Sequence, residues 1–432
     1  MGTKIGLRGW LLFGAILLLP VGARAQDPPG QPSAAENGAL PYPLLPITID
    51  AQGYTARGQD YAPEEVQAPL PLGSTRPESG LFYGSEFIFF RQTRPIKDQL
   101  IAVRGFFDVT GESFGNGPLN PGTFVGSGEQ ALKANNLGTR SYQPGFEIFL
   151  GWRFKEGVTV EFDWYHLWQV HYSGGATLVP SLFQGQGTIQ ENTFLTSFVY
   201  NFTPDYAGPP GRISGTGFAA YGIWDAASIM DIAFYQRYDE YDIKGRIPMF
   251  ESDWNRSYAL MGARFAWIWE RFRWDTIAFD NLGNSGPQWQ AIYSNVDSNR
   301  MYGPFIGCGD ECRLGDTPIG TFAVSLDTTA ALLLDIVKTR QSYERADRQT
   351  SSHHNTTMYE IVPEVTANLN LWWYPQGVEG MQLRLGYDVF AFFNTVGSPY
   401  PVAFNLAAPE SQFQAGIFRF FDGFNAGISL SF

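Results

Sequence analysis

From residue 143 onward the chain alternates. Phe146, Ile148, Leu150, Trp152 and Phe154 fall in one phase, and Glu147, Phe149, Gly151 and Arg153 in the other. After Lys155-Glu156-Gly157 the period resumes, with Val158, Val160, Phe162 and Trp164 interleaved with Thr159, Glu161, Asp163 and Tyr165. A period of two is the mark of a strand, whose side chains point alternately to opposite faces, and so short a join makes the pair a hairpin. The same writing recurs. Ala263, Phe265, Trp267 and Trp269 oppose Arg264, Ala266, Ile268 and Glu270; Phe322, Val324 and Leu326 oppose Ala323, Ser325 and Asp327. Tyr359, Ile361, Val365 and Leu369 oppose Glu360, Glu364, Thr366 and Asn368; Met381, Leu383, Leu385 and Tyr387 oppose Gln382, Arg384, Gly386 and Asp388.

A soluble sandwich also alternates, so length and end composition decide. These segments run well past the usual strand of about 5 or 6 residues and match tilted membrane strands of about 9 to 11. Their apolar phase places Trp, Phe and Tyr near segment ends, as aromatic girdles do. Residues 412–432 keep one phase through Phe418, Phe420, Asp422, Phe424, Ala426, Ile428, Leu430 and Phe432, so they form one long strand with no turn at Asp422-Gly423.

The joins at 155–157 and 374–380 are short, whereas 92–142, 172–226, 336–356 and 394–411 are long and are expected as outer loops. The fold expected is all-β: an antiparallel transmembrane β-barrel with both termini in the periplasm. Ten strands are predicted, near 82–91, 143–154, 158–170, 227–241, 257–270, 290–306, 320–335, 357–373, 380–393 and 412–432. A further pair at 194–202 and 217–224 would raise the count to twelve. The first strand has aromatics in both phases, so its faces stay unassigned, and 286–307 alternates poorly. Pro144 and Pro363 belong at strand ends or rims, because proline cannot donate to a ladder.

Only at the amino end does the pattern change. Lys4 and Arg8 precede an apolar stretch from Trp10 to Val21, then Ala23-Arg24-Ala25, the form of a signal peptide ending at residue 25. Its apolar core is shorter than the ~20 residues of a spanning helix. Residues 26–80 hold ten prolines and no apolar period, and are expected as a flexible periplasmic segment. The barrel then occupies 81–432.

Composition sharpens the picture. Of 432 residues, 16% are charged and 16% aromatic, and the formal charge is -13. A coiled coil and generic disorder are excluded, and a nucleic-acid partner is not expected without a basic face.

The opening Leu81-Phe82-Tyr83-Gly84-Ser85-Glu86, the Pro144-Gly145-Phe146 entry to Gly151-Trp152, Asn299-Arg300-Met301-Tyr302-Gly303 before Ile306-Gly307-Cys308, and the closing Gly423-Phe424-Asn425-Ala426-Gly427 resemble the beta-barrel porin seven family of bacterial outer-membrane proteins. The resemblance covers roughly residues 80–432. It implies a barrel fold and an outer-membrane location and supplies no catalytic residues. A strand closing on Phe432 likewise resembles the end that barrel assembly machinery reads.

Candidate chemistry is sparse. Of four histidines, His353-His354 has no carboxylate or Cys at metal spacing, and His166 sits in the apolar phase between Trp164 and Trp168, where it would reach headgroup water. Cys308 and Cys312, in an expected connection at 307–320, are the disulfide candidate for an exported chain. No serine elbow, phosphate-binding loop or triad appears, so neither an enzyme nor a cofactor is expected.

What remains is the charge in the inward phases: Glu147, Arg153, Glu161, Asp163, Arg264, Asp327, Glu360, Glu364, Arg384 and Asp388. Such charges are costly on a lipid face, so their shared phase points to the lumen. They would line a narrow mixed-charge conduit for passive passage of small polar solutes, or plug it with salt bridges as a non-conducting scaffold or surface-binding barrel. About eight strands fill a barrel and about 16 to 18 leave a channel, so ten or twelve lie between. Inward Tyr165, Phe390 and Phe392 suit an occluded lumen or an apolar ligand. A third reading, a secreted soluble all-β binding protein, requires that the chain stay in solution without lipid.

Overall fold

The computed structural model describes residues 79–108, 122–178, 191–201, 210–212, 219–252, 254–279, 284–349, 351–405 and 413–432. The expected signal peptide, nearly all of the proline-rich segment, and the Gly-containing stretch 184–187 lie outside them.

Ten antiparallel strands close into a barrel. In chain order they are β1 (Gly80–Gln92), β2 (Gln143–Arg153), β3 (Thr159–Thr177), β4 (Ile229–Glu251), β5 (Asn255–Ile277), β6 (Gln290–Thr317), β7 (Gly320–Arg345), β8 (Ser351–Pro375), β9 (Met381–Gly397) and β10 (Gln414–Ser431). Each pairs with its neighbours in sequence, and β1 pairs with β10 from Phe82↔Ser431 to Gln92↔Phe421, closing the ring. Closure removes the open edges that hydrocarbon cannot tolerate.

Polarity is inverted relative to a soluble fold. Outward Phe87, Leu332 and Ile306 are 53%, 59% and 70% exposed, whereas inward Asp163 and Asp388 are fully buried. An apolar outer wall of this extent needs lipid around it. The chain is a transmembrane β-barrel of the outer-membrane kind, as its alternation predicts.

At one end the joins are short: residues 154–158, 252–254, 318–319 and 376–380. The first is a tight turn in which the Gly157 amide donates to the Phe154 carbonyl at 3.0 Å, with Gly157 at φ 91°, a conformation that excludes most side chains. Both ends of the barrel chain, Gly80 and Phe432, sit at this rim. There the Phe432 amide donates to the Leu81 carbonyl at 2.9 Å, and its ring stacks on Tyr83.

Several expectations need correction. Residues 194–202 and 217–224 do not enlarge the barrel. Leu195–Ser197 joins Leu100–Arg104 and Gln130–Lys133 in a small sheet, and Ala219–Tyr221 pairs with Pro210–Arg212. The expected outer loop 336–356 is mostly strand, because β7 and β8 continue to Arg345 and from Ser351, well beyond what a bilayer requires. Pro363 lies inside β8 opposite Leu332 rather than at a strand end. Pairing of β8 with β9 stops at Glu364↔Phe392, so the missing proline N–H falls where β8 has lost one neighbour.

The pattern at 286–307 is explained by position. Outward Ser294, Val296, Ser298 and Arg300 stand above the apolar belt, so the lipid no longer dictates their polarity. For β1 the faces are now assigned: Leu81, Tyr83, Phe87 and Phe89 point out, and Glu86, Ile88 and Phe90 point in.

Candidate functional site

All ten carboxylate and arginine positions expected in the lumen face inward. Glu147, Arg153, Glu161, Asp163, Arg264, Glu364 and Asp388 are buried, and Asp327, Glu360 and Arg384 are half-buried. Strand phase places them; ring closure pairs them.

Near the short-turn rim, Arg384 of β9 lies 3.0 Å from Glu86 of β1, 3.8 Å from Glu147 of β2 and 3.9 Å from Asp388. Beside it, Lys244 of β4 reaches Glu161 at 3.0 Å and Asp163 at 2.7 Å, and Arg246 reaches Asp327 of β7 at 3.7 Å. Asp327 also accepts from the Tyr258 hydroxyl, and Glu311 accepts from the Tyr374 hydroxyl at 3.0 Å. Halfway up, Arg264 of β5 holds Asp242 and Glu364, each at 2.6 Å, and Glu240 at 3.2 Å. Higher still, Arg419 of β10 pairs with Glu270 of β5 and donates to the Thr395 hydroxyl at 2.9 Å.

Arg384, Lys244, Arg246 and Arg264 each serve two or more carboxylates inside a shell of protein, and Arg419 serves Glu270. Pairs of this kind are costly to desolvate and costlier to break, since the surviving partner is left buried and alone.

Between the lower and upper charges lies a layer of rings. Phe90, Tyr165, Tyr238, Phe390, Phe392 and Phe421 are at most 5% exposed and belong to one apolar cluster with Ile88, Leu167, Ile268, Met301 and Leu333. Tyr165 meets Phe390 edge-on at 5.8 Å, and Tyr238 meets Phe421 at 4.7 Å, each contact reaching across the lumen. Among the described residues, one cavity beside Arg384 and Trp372 measures about 30 Å³ and another beside Glu270 and Pro401 about 10 Å³, room for single waters.

Above the rings a lid enters the mouth. Ile101, Leu132, Leu195, Ile223, Trp224 and Val402 pack against the inward Met230, Phe234, Trp274 and Tyr293. Trp224 lies 4.6 Å from Trp274. The lid is tied to the wall: the Tyr293 hydroxyl donates to the Pro401 carbonyl at 3.0 Å and accepts from the Ala403 amide at 3.1 Å, and the Asn295 side-chain amide donates to the Pro401 carbonyl at 3.2 Å. Asp225, within the lid and outside the membrane-spanning strands, is pushed up to about 7 by burial.

Several of these groups escaped the sequence reading. Asp242, Lys244 and Arg246 continue the inward phase of Tyr238 and Glu240, but the strand was expected to end at 241. Arg419 is the complement of the outward phase read in β10, and Glu86 was hidden by the doubly aromatic β1.

The disulfide expectation fails. Cys308 and Cys312 stand on one outward face of β6, both free and exposed. Four residues of extended chain separate their Cα atoms by about 13 Å, against the about 7 Å limit for a bridge. His166 faces outward as expected, with Nδ1 2.6 Å from Asp239 Oδ1. His353 lies 3.9 Å from Glu344, and among the described residues no group of His, Cys, Asp and Glu is placed to hold a metal ion.

No family model matches the chain. No curated protein matches it either. Among solved structures it is similar to the outer membrane protease OmpT from Escherichia coli, at 9% identity over 82% of this chain and 97% of that one, with a TM-score of 0.38. A FadL homologue of Pseudomonas aeruginosa is 9% identical over 82% and 90%, TM-score 0.20. An anion-selective porin from Comamonas acidovorans is 9% identical over 82% and 99%, TM-score 0.12. Likeness of this order carries no argument about activity.

Proposed function

We propose that this protein is a closed, non-conducting barrel of the bacterial outer membrane, a rigid platform that works through its outer face. The observation that carries this reading is the ring layer of Tyr165, Tyr238, Phe390 and Phe421, packed across the lumen between charge clusters and capped by the lid. A solute moving along the axis would have to displace buried aromatics and then a bonded lid. No catalytic function is part of this reading. Export by a leader over residues 1–25, insertion through recognition of Phe432 by barrel assembly machinery, and membership of the beta-barrel porin seven family belong to it.

Passive passage of small polar solutes is the second reading. It is favoured by the lengthwise run of inward charges from Arg384 through Arg264 to Arg419. If that run opened, its carboxylates would favour cations.

Single-channel recording of the refolded chain in a planar bilayer separates the two, with heat-modifiable gel migration confirming insertion. A silent inserted barrel supports the platform. Steady conductance steps that change with Arg384→Ala support passage.

A further inference from the structure

The outer wall carries its own pattern. Trp164, Tyr241, Phe265 and Tyr302, on β3 to β6, stack ring on ring at 5.8, 5.7 and 4.7 Å. The registers put them in one row, continued by Leu334 and Ile361. Such a ladder marks where hydrocarbon gives way to headgroups.

Immediately above it, toward the long loops, the wall turns cationic. Trp267 is opposite Arg300, Lys338 is opposite Ser298 and Thr357, and Arg340 is opposite Val296 and Asn355. Lys338 and Arg340 are about 7 Å apart along one face of β7. Arg300 is diagonal to Lys338 across the β6 and β7 pair, again at about 7 to 8 Å. The three border an open groove of about 320 Å³ on the barrel exterior, walled by Trp267 and Trp269 and floored with hydroxyl and amide groups of Ser298, Thr357 and Asn355.

These cations differ from others on the outer wall. Arg91 is matched by Asp422 at 3.0 Å, Arg237 by Asp239 at 2.8 Å and Arg273 by Asp275 at 2.7 Å. Among the described residues no ion pair engages Arg300, Lys338 or Arg340. Arg300 is steadied instead over the Trp267 ring at 5.7 Å, whose vicinity Arg237 shares at 4.7 Å. Unmatched charge directly above an acyl-chain boundary selects an amphiphile that is anionic at that height and apolar below it.

We propose that the exterior of β5 to β8 binds the phosphorylated headgroup of an outer-leaflet glycolipid. Arg300, Lys338 and Arg340 hold phosphate oxygens, and the acyl chains lie on the aromatic ladder beneath. The site does not depend on whether the lumen conducts.

The test uses the full exported chain, purified from membranes in mild nonionic detergent, with native mass spectrometry and total phosphorus as readouts. Wild type is expected to retain phosphorylated lipid, and R300Q/K338Q/R340Q to lose it by about tenfold or more, with Lys155→Gln in the opposite-rim turn retaining it. Equal lipid in the triple variant and wild type overturns the proposal. Should the triple variant fail to fold, wild type refolded in phosphatidylcholine vesicles, with and without a bis-phosphorylated glucosamine glycolipid, decides. A higher denaturation temperature with the glycolipid, and none with inorganic phosphate, supports the site. No difference, or an equal effect of free phosphate, sinks it.

Discussion

Arg419 of β10 pairs with Glu270 of β5, and these two strands stand five apart in a ring of ten, so the contact spans the full width of the lumen. Glu270 also accepts from the Gln236 side-chain amide of the adjacent β4 at 2.7 Å. Asn299 and Thr395 sit close by, and Arg419 also donates to the Val396 carbonyl at 2.8 Å, which binds the inward-leaning end of β9 into the same strut.

Breaking that strut is expected to destabilise the barrel. Arg419→Met should cost about 3 to 5 kcal/mol, because Glu270 is left buried without its cation. Arg419→Met with Glu270→Gln should recover part of the loss. Denaturant midpoints in detergent, read by heat-modifiable migration, check both; a double variant no better than the single one refutes cross-lumen pairing.

The ring layer offers a gain-of-function test. Truncating Tyr238 and Phe390 together to Ala removes two side chains that meet at 6.4 Å and contact rings from the far wall. The closed-barrel reading expects a silent wild type and measurable conductance in the double variant, at a stability cost of several kcal/mol for two lost core aromatics, about 3 to 5 each. A wild type and a variant that conduct alike would show that the rings are not the seal.

Cys308 and Cys312 should both be free thiols, since they are too far apart to bridge, so denaturation without reductant followed by alkylation should modify both. Cys308→Ser with Cys312→Ser should leave the denaturation midpoint unchanged. A mass deficit of two hydrogens in the untreated chain would contradict this geometry.

Asp225 makes lid stability depend on pH. Its carboxyl titrates near 7 in the folded chain against about 3.8 when unfolded, so between those values the folded state holds the extra proton. Stability is therefore highest below about pH 4, falls as pH rises to about 7, and is flat above, with a total of at most about 4 kcal/mol. Proteolysis of the outer loops across pH 4 to 8 should accelerate along this curve, and Asp225→Asn should flatten it. Unchanged pH dependence in that variant would remove Asp225 as the cause.

Much of this molecule is legible in one dimension. A strand with lipid outside and protein inside must alternate, so the phase of Leu332, Phe424 or Glu147 states its face without any knowledge of its neighbours. Strand number, chain direction and the inward set follow from that local rule and from the few short turns. The rule weakens where the surroundings cease to be two-sided. Ser294 to Arg300 lie above the hydrocarbon, β1 puts aromatics on both faces, and β7 and β8 run past the membrane into what the polarity alone reads as loop.

Whether the lumen is open belongs to a different order of information. The sequence places Tyr165, Phe390 and Phe392 inward, and an inward ring lines a pore as readily as it fills one. Which of these happens depends on the ring of strands, its shear and the depth of the lid, all set by pairing across hundreds of residues. The same holds for Arg300, Lys338 and Arg340, whose convergence comes from inter-strand register rather than spacing. Period two fixed the faces of this barrel by itself; closure and register alone brought its seal and its cationic groove together, because contacts around a ring are non-local.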